Sequence, residues 1–132
     1  MVLVDTNVLV DVVEHDPQWW SWSIGQMRNL SLTHSLAINV IIYAELASTY
    51  SSSAILDQKI ATMNLILENI PRTAAFLAGK AYLLYRRQSG TKSSVLSDFF
   101  IGAHAAVLGC PLLTRDTRRY STYFPSVRLI TP

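Results

Sequence analysis

Four acidic side chains indicate the chemistry that this sequence is suited to perform. They are Asp5, Glu45, Asp98 and Asp116. Carboxylates that cluster repel one another: two like charges about 4 Å apart cost about 1 kcal/mol in water and about 4 kcal/mol at an effective dielectric constant of about 20. Such a cluster therefore holds protons or a cation, and ligands that are all oxygen suit Mg²⁺ or Mn²⁺ better than zinc. These ions activate water and stabilise a leaving oxygen, so we expect hydrolysis of a phosphodiester without a covalent nucleophile.

The positions of the four acids relative to the predicted elements favour one shared site. Asp5 directly follows a short apolar run. A second predicted strand ends at Thr114, and Asp116 lies two residues beyond it. Asp98 begins a predicted helix, where the dipole favours an anion. Glu45 lies between apolar residues in a helical segment, where burial of an unpaired charge is expensive.

Each acid taken alone also fits an ordinary role. Asp5, Asp98 and Asp116 fit helix or turn caps, and Glu45 fits the solvated side of its helix. The combination is more informative than its members, because three acids at element junctions and a fourth in an apolar helix are typical of an active site.

The elements that must position these acids alternate between strands and helices. Four strands are predicted, at Val2–Val4, Leu36–Ile38, Leu112–Thr114 and Val127–Ile130. Helices are predicted at Thr6–Glu14, from Pro17 through Trp22, from the N-cap Asn39 to about Thr49, and at Ala54–Glu68, Ala74–Arg87 and Asp98–Leu108. This order favours an α/β fold with a mainly parallel sheet covered on both faces. Right-handed crossovers place the carboxyl ends of the strands on one edge, where such sheets bind ligands.

Length and composition indicate one compact globular domain, residues 1–132. Half of the residues are hydrophobic and 15% are charged, which excludes a disordered chain. The single cysteine, Cys110, excludes an internal disulfide and favours a cytoplasmic location. No signal peptide or membrane span is predicted. The net charge is +2, and eight of the eleven basic residues are arginine, which is compatible with nucleic acid.

The sequence resembles the PIN-domain nucleases in three places. Val2–Leu9 is similar to the opening segment of that family, and Ser97–Ala105 followed by Leu112–Asp116 is similar to its C-terminal half. Glu45 stands at the position of the family's mid-chain acid. Size and layout are most similar to the VapC-type toxins of bacterial toxin–antitoxin pairs.

The resemblance implies a fold, an activity and partners. The expected fold is a three-layer α/β/α sandwich with a central parallel sheet. The four acids would bind Mg²⁺, with Mn²⁺ as a substitute, and Asn7 and Thr114 would support them by orienting carboxylates or water. The expected activity is cleavage of RNA, with tRNA or ribosomal RNA as typical substrates. A VapB-like antitoxin would inhibit the protein, which would form a homodimer.

Three arginines, Arg115, Arg118 and Arg119, flank the last acid and are candidates for gripping the RNA backbone. A solvated surface turn is the alternative. This segment is more basic than the usual continuation of the family, which often carries another acid there.

The remaining candidates favour structural roles. The helical spacing of Trp19 and Trp22 predicts core or interface packing, with Trp20 on a different face. His104 lies six residues after Asp98, on the opposite side of that helix, and is predicted to be structural.

Two other functions compete with the nuclease. A PIN-like module that binds RNA or protein without catalysis would fit the same fold, although all four acids are present. A phosphatase acting on small phosphoesters lacks support, because Asn7 stands where the usual aspartyl-phosphate motif needs a second aspartate.

Overall fold

The computed structural model describes residues 1–88, 90–92 and 95–132. Within these residues, five strands, β1 to β5, cover Val2–Val4, Leu36–Ile38, Leu65–Leu67, Leu112–Leu113 and Leu129–Ile130. The helices, α1 to α7, cover Thr6–Val13, Trp20–Ser31, Val40–Ala47, Ser53–Thr62, Arg72–Arg87, Leu96–Leu108 and Arg118–Tyr123. No helix in these three ranges combines the length and the hydrophobicity needed to cross a membrane.

The strands form one parallel sheet in the order β3-β2-β1-β4-β5. The side chains of Val2, Leu3 and Val4 in the central strand β1 are all fully buried. Since successive side chains of a strand point to opposite faces, both faces of the sheet are covered. The predicted α/β fold with a parallel sheet between helical layers is therefore confirmed.

The strand order changes direction between β1 and β4. From β1 the chain adds β2 and β3 on one side, and then returns to add β4 and β5 on the other. A crevice at the carboxyl ends of the strands forms at such a switch point. Val4 is in register with Leu113, and the Asp5 backbone N–H donates to the Leu113 carbonyl at 2.9 Å. The residues that follow β1 and β4 therefore meet at this crevice.

Several predicted helix boundaries are confirmed by their caps. The Asp5 carboxylate accepts from the Thr6 N–H at the start of α1, and the Asn39 side chain accepts from Ile41 and Ile42 at the start of α3. Gly109 ends α6 with a φ of 65°, in the left-handed region that glycine adopts at little cost.

The predicted helix Ala54–Glu68 is wrong after Thr62. Helix α4 ends at Thr62, and Asn64 adopts a φ of 55°, which a right-handed helix does not tolerate. The chain then forms the edge strand β3, which pairs with β2. A short apolar run does not distinguish a helical turn from a strand, and here the pairing with β2 decides the outcome.

Other boundaries differ from the prediction by smaller amounts. Helix α7, which supplies Arg118 and Arg119, was not predicted. Helix α2 begins at Trp20 rather than Pro17, and α6 begins at Leu96, two residues before Asp98. Asp98 nevertheless lies in the first turn of α6, as predicted.

Helices α6 and α7 approach closely at Gly102. A methyl group added at Gly102 would come within 2.6 Å of Cε2 of Phe124, the buried residue that ends α7. Gly102 lies one helical turn after Asp98, so this close packing fixes the start of α6 relative to the segment that carries Asp116.

We predict that Gly102→Ala destabilises the protein by about 1–3 kcal/mol, because the added methyl overpacks the contact with Phe124. The matched control is Gly79→Ala in the exposed middle of α5, where an added methyl meets nothing within 4 Å. That control should stabilise the protein by about 0.5–1 kcal/mol. Urea denaturation monitored by circular dichroism measures both effects. A Gly102→Ala variant as stable as the parent would contradict this account of the packing.

Candidate active site

Asp5 is held at the end of β1 by a set of hydrogen-bond donors. Its Oδ1 accepts from the Thr6 N–H at 2.7 Å. Its Oδ2 accepts from the Thr114 hydroxyl at 2.8 Å, the Tyr120 hydroxyl at 3.0 Å and the Asn7 amide at 3.3 Å. The predicted supporting residues Asn7 and Thr114 therefore both contact this carboxylate, and its orientation is fixed from several sides.

Burial makes the ionised form of Asp5 costly despite these donors. The side chain is 4% exposed. The pKa of Asp5 is raised from 3.8 to about 6: burial is the largest cause and the negative charge of Asp98 adds to it, while the hydrogen bonds from Thr114, Tyr120 and Thr6 act in the opposite direction. The difference corresponds to about 3 kcal/mol against the carboxylate. A cation near Asp5 would remove this penalty.

Glu45 reaches the same crevice from helix α3. Its Oε1 accepts from the Thr6 hydroxyl at 2.7 Å, which links α3 to the start of α1. Asn39, the N-cap of α3, is fully buried and its amide lies 3.0 Å from Nδ1 of the buried His104 in α6. Because the Asn39 oxygen already accepts two backbone N–H groups, its amide nitrogen is the donor to His104. This contact sets α3 against α6, and with it Glu45 towards Asp98.

Asp98 is paired with Arg119. The Arg119 Nη1 donates to Asp98 Oδ2 in a short contact, and both side chains are 26% exposed. Burial raises the pKa of Asp98, the positive charge of Arg119 opposes the rise, and the charges of Glu45 and Asp116 add to it. The four acids therefore act on one another electrostatically.

Asp116 has two roles in the turn after β4. Its Oδ1 accepts from the backbone N–H groups of Arg118 at 3.1 Å and Arg119 at 3.3 Å, which is the turn-capping role. Its own N–H donates to the Thr114 hydroxyl at 3.0 Å, and its Oδ2 lies 3.6 Å from Arg119 Nη1. Capping and membership of the acid cluster are thus compatible in the same side chain.

All four predicted acids line one cleft of about 370 Å³ at the carboxyl edge of the sheet. The other residues of its wall are Thr6, Asn7, Val10 and Arg115. Within residues 1–88, 90–92 and 95–132, no three His, Cys, Asp or Glu side chains are already arranged closely enough to hold a metal ion. The acids share a cleft, and a guanidinium group rather than a tight ligand set lies between two of them.

Arg115 is fixed at the wall of this cleft by a buried acid. Its Nε and Nη2 donate to the two carboxylate oxygens of Asp11 at 2.8 and 3.0 Å, and Asp11 also accepts from the Ser23 hydroxyl at 2.7 Å. The Arg115 guanidinium lies 5.2 Å from the centre of the Trp19 ring, a cation–π contact. The side chain proposed for RNA contact is thus rigidly placed beside the acids.

Sequence reasoning missed two residues of this site, Asp11 and Tyr120. Asp11 stands in an otherwise apolar stretch of α1 and is 1% exposed. The signal that singled out Glu45, an acid among apolar residues of a helix, applied equally to Asp11. Tyr120 is fully buried and donates to Asp5 from α7. No sequence pattern predicted it, because α7 itself was not predicted.

The residues predicted to be structural are buried or packed against other rings. His104 is fully buried, and burial lowers its pKa. Trp19 and Trp22 contact each other edge to face with ring centres 6.3 Å apart, whereas Trp20 stacks on His15 at 5.3 Å. The prediction that Trp20 faces a different direction from Trp19 and Trp22 is confirmed.

Comparison with protein families identifies the chain. The family model described as the PIN domain matches residues 2–125. The chain therefore belongs to the PIN domain family, and the resemblance of its sequence to that family is confirmed. Comparison with curated protein sequences found no significant match.

Solved structures of toxin–antitoxin complexes have a similar fold. VapBC2 from Rickettsia felis, bound to a DNA fragment from its promoter, matches with a TM-score of 0.75 and 18% identity, covering 100% of this chain and 99% of that chain. DNA-bound VapBC from Salmonella typhimurium matches with a TM-score of 0.72 and 20% identity, covering 98% of this chain and 96% of that chain. VapBC-1 from nontypeable Haemophilus influenzae matches with a TM-score of 0.73 and 17% identity, covering 99% of this chain and 98% of that chain. At these identities the likeness establishes the fold.

We predict that Arg115→Ala destabilises the protein by about 2–3 kcal/mol, because it leaves the Asp11 charge buried without its partner. Asp11 is 2% exposed in its side chain and Arg115 is 29% exposed, so the loss falls below that of a fully buried pair. The control is Arg28→Ala, which removes an exposed arginine near the end of α2. Guanidinium denaturation at neutral pH compares the variants. Equal stability of Arg115→Ala and the parent would refute the structural role of the pair.

Proposed function

We propose that this protein is a metal-dependent endoribonuclease that hydrolyses phosphodiester bonds of single-stranded or looped RNA, and that it is the toxin of a VapBC-type toxin–antitoxin pair. The observation that carries the proposal is the meeting of four carboxylates, from four distant parts of the chain, in one cleft of a PIN-domain fold. PIN domains are generally nucleases. Acids whose only role is to cap helices or turns would not be expected to meet in one cleft.

The donor set of the cleft fits a hard divalent cation. Asp5, Glu45, Asp98 and Asp116 offer only oxygen ligands, as Mg²⁺ and Mn²⁺ prefer. Burial, and to a smaller extent the charges of neighbouring acids, raises the pKa values of Asp5 and Asp98, and a nearby cation would favour their ionised forms. Such an ion, when bound, supplies activated water and stabilises the leaving oxygen. We propose that these four residues hold it.

The residues around the acids are suited to orient the ligands and the substrate. Thr114, Asn7 and Tyr120 fix the Asp5 carboxylate, and Thr6 fixes Glu45, so little reorganisation is needed when ligands bind. Arg115, tethered by Asp11, offers a positive charge at the cleft wall to a phosphate of the RNA. The expected products carry a 5′-phosphate and a 3′-hydroxyl.

The fold likeness supports the proposed partners. Two of the solved structures that match are VapBC complexes bound to DNA. We propose a VapB-like antitoxin as the partner of this chain, homodimer formation, tRNA or ribosomal RNA as substrate, and a cytoplasmic site of action.

One observation favours a second candidate, a PIN-like module that binds RNA or protein without catalysis. Arg119 pairs with Asp98 and lies near Asp116, as a structural ion pair would. The two candidates differ in what the carboxylates do, and substitution of the acids separates them.

We predict that Asp5→Asn and Asp98→Asn each reduce cleavage of a single-stranded RNA in Mg²⁺ by more than about 100-fold, because loss of a residue that merely orients a ligand already costs about 10–100-fold. The control is Glu14→Gln, an exposed acid that follows the opposite end of α1 from Asp5. Cleavage is followed by gel electrophoresis of a labelled oligoribonucleotide, and circular dichroism verifies the fold. Full activity in both variants would exclude the proposed catalysis. A parent protein that binds RNA without cleaving it would favour the binding module.

The pKa of Asp5 gives a further prediction about pH. Its pKa is about 6 in the folded protein and 3.8 in the reference state, so between these values the folded protein holds a proton that the unfolded chain lacks. This proton contributes stability that is present below about pH 4 and is lost as the pH rises through about 6. A cation requires the ionised form. The increase in Tm caused by MgCl₂, relative to EDTA, should therefore be larger at about pH 7.5 than at about pH 5. An increase independent of pH would argue against Asp5 as a ligand.

A further inference from the structure

Arg119 lies between two acids of the cluster, Asp98 and Asp116. Its Nη1 donates to Asp98 and lies 3.6 Å from Oδ2 of Asp116. Its backbone N–H also donates to Oδ1 of Asp116. The same residue thus contacts two of the four acids through its side chain and one of them through its backbone.

The backbone of Arg119 is held in place by its neighbours in helix α7. The next residue, Tyr120, is fully buried, and its hydroxyl donates to Asp5, which holds helix α7 against the end of β1. A close packing of Phe124 on Gly102 fixes the other end of α7. The backbone of Arg119 therefore stays near the acids, while its long side chain, 26% exposed, keeps the freedom to turn.

We propose that Arg119 is a tethered counter-ion: it neutralises Asp98 and Asp116 in the metal-free protein and is displaced when a divalent cation binds between them. The inference rests on the proposed metal-dependent function and deepens it. One carboxylate oxygen cannot direct the same lone pair to a guanidinium and to a metal ion at once, so the two cations compete. The positive charge also explains how the acids stay together without a tight ligand set among the described residues.

A neighbouring cleft has room for the displaced side chain. It measures about 360 Å³ and shares Asp116 with the acid cleft, and its wall includes Arg119, Arg118, Thr122, Tyr85 and Tyr123. Arg119 belongs to the wall of this second cleft and not to that of the first. A turn of the side chain away from Asp98 therefore moves it into open space beside Arg118, where a nucleic-acid phosphate would meet two positive charges.

The affinity for Mn²⁺, measured by isothermal titration calorimetry without RNA, tests the proposal. Removal of the competing charge in Arg119→Ala should strengthen Mn²⁺ binding by about 10-fold, since a competitor worth about 1.4 kcal/mol changes an equilibrium constant by that factor. Arg119→Gln, which keeps hydrogen-bond donors without the charge, should do the same. The matched control is Arg118→Ala, which removes the same charge from the adjacent, exposed position and should change the affinity by less than about 2-fold.

A second measurement covers the case in which Arg119→Ala is too unstable to titrate. Without metal, Arg119→Gln should have a lower Tm than the parent, because Asp98 and Asp116 repel each other without their counter-ion. Mn²⁺ should then raise the Tm of Arg119→Gln by more than it raises the Tm of the parent or of Arg118→Ala.

The outcomes distinguish the inference from the function on which it rests. Mn²⁺ affinity that is unchanged or weaker in both Arg119 variants, with saturable binding in the parent, would overturn the counter-ion and leave the metal-dependent function standing. Absence of saturable Mn²⁺ binding in the parent and in both variants would overturn the metal-dependent function as well.

Discussion

The repulsion among four carboxylates in one cleft is the constraint on which this structure depends. Burial and the charges of neighbouring acids raise the pKa values of Asp5 and Asp98, so the ionised forms of these two side chains are destabilised. Hydrogen bonds from Thr114 and Tyr120, and the charge of Arg119, offset part of that cost. The parallel sheet supplies the rest of the explanation, because its switch point places the ends of β1 and β4 side by side whatever side chains follow them.

Much of this arrangement could be predicted from the sequence, for identifiable reasons. An apolar run that ends at Asp5 indicates a buried strand and the edge where it stops, and Asn39 and Gly109 mark helix ends through local hydrogen bonding and backbone conformation. The joint placement of the acids follows from topology, because parallel strands end on one edge. These signals are local or follow from general rules of sheet construction.

The features that escaped prediction depend on tertiary contacts. In the sequence, the edge strand β3 cannot be told from the continuation of helix α4. The positive φ of Asn64 ends the helix, and pairing with β2 makes the next residues a strand. Helix α7 is too short to show a periodic pattern, yet it brings Tyr120 to Asp5 and Arg119 to Asp98. The ion pair of Arg115 with Asp11 joins residues 104 positions apart, and no local pattern reports it.

The order of the elements has a consequence for synthesis of the chain. The crevice is completed by β4 and by the segment that carries Thr114, Asp116 and Tyr120, all of which follow α6 in the sequence. A growing polypeptide that has emerged from the ribosome only as far as α6 holds Asp5, Glu45 and Asp98 but not their remaining neighbours. The cleft for which we propose RNA cleavage therefore cannot form until β4 and α7, residues 112–123, have left the ribosome.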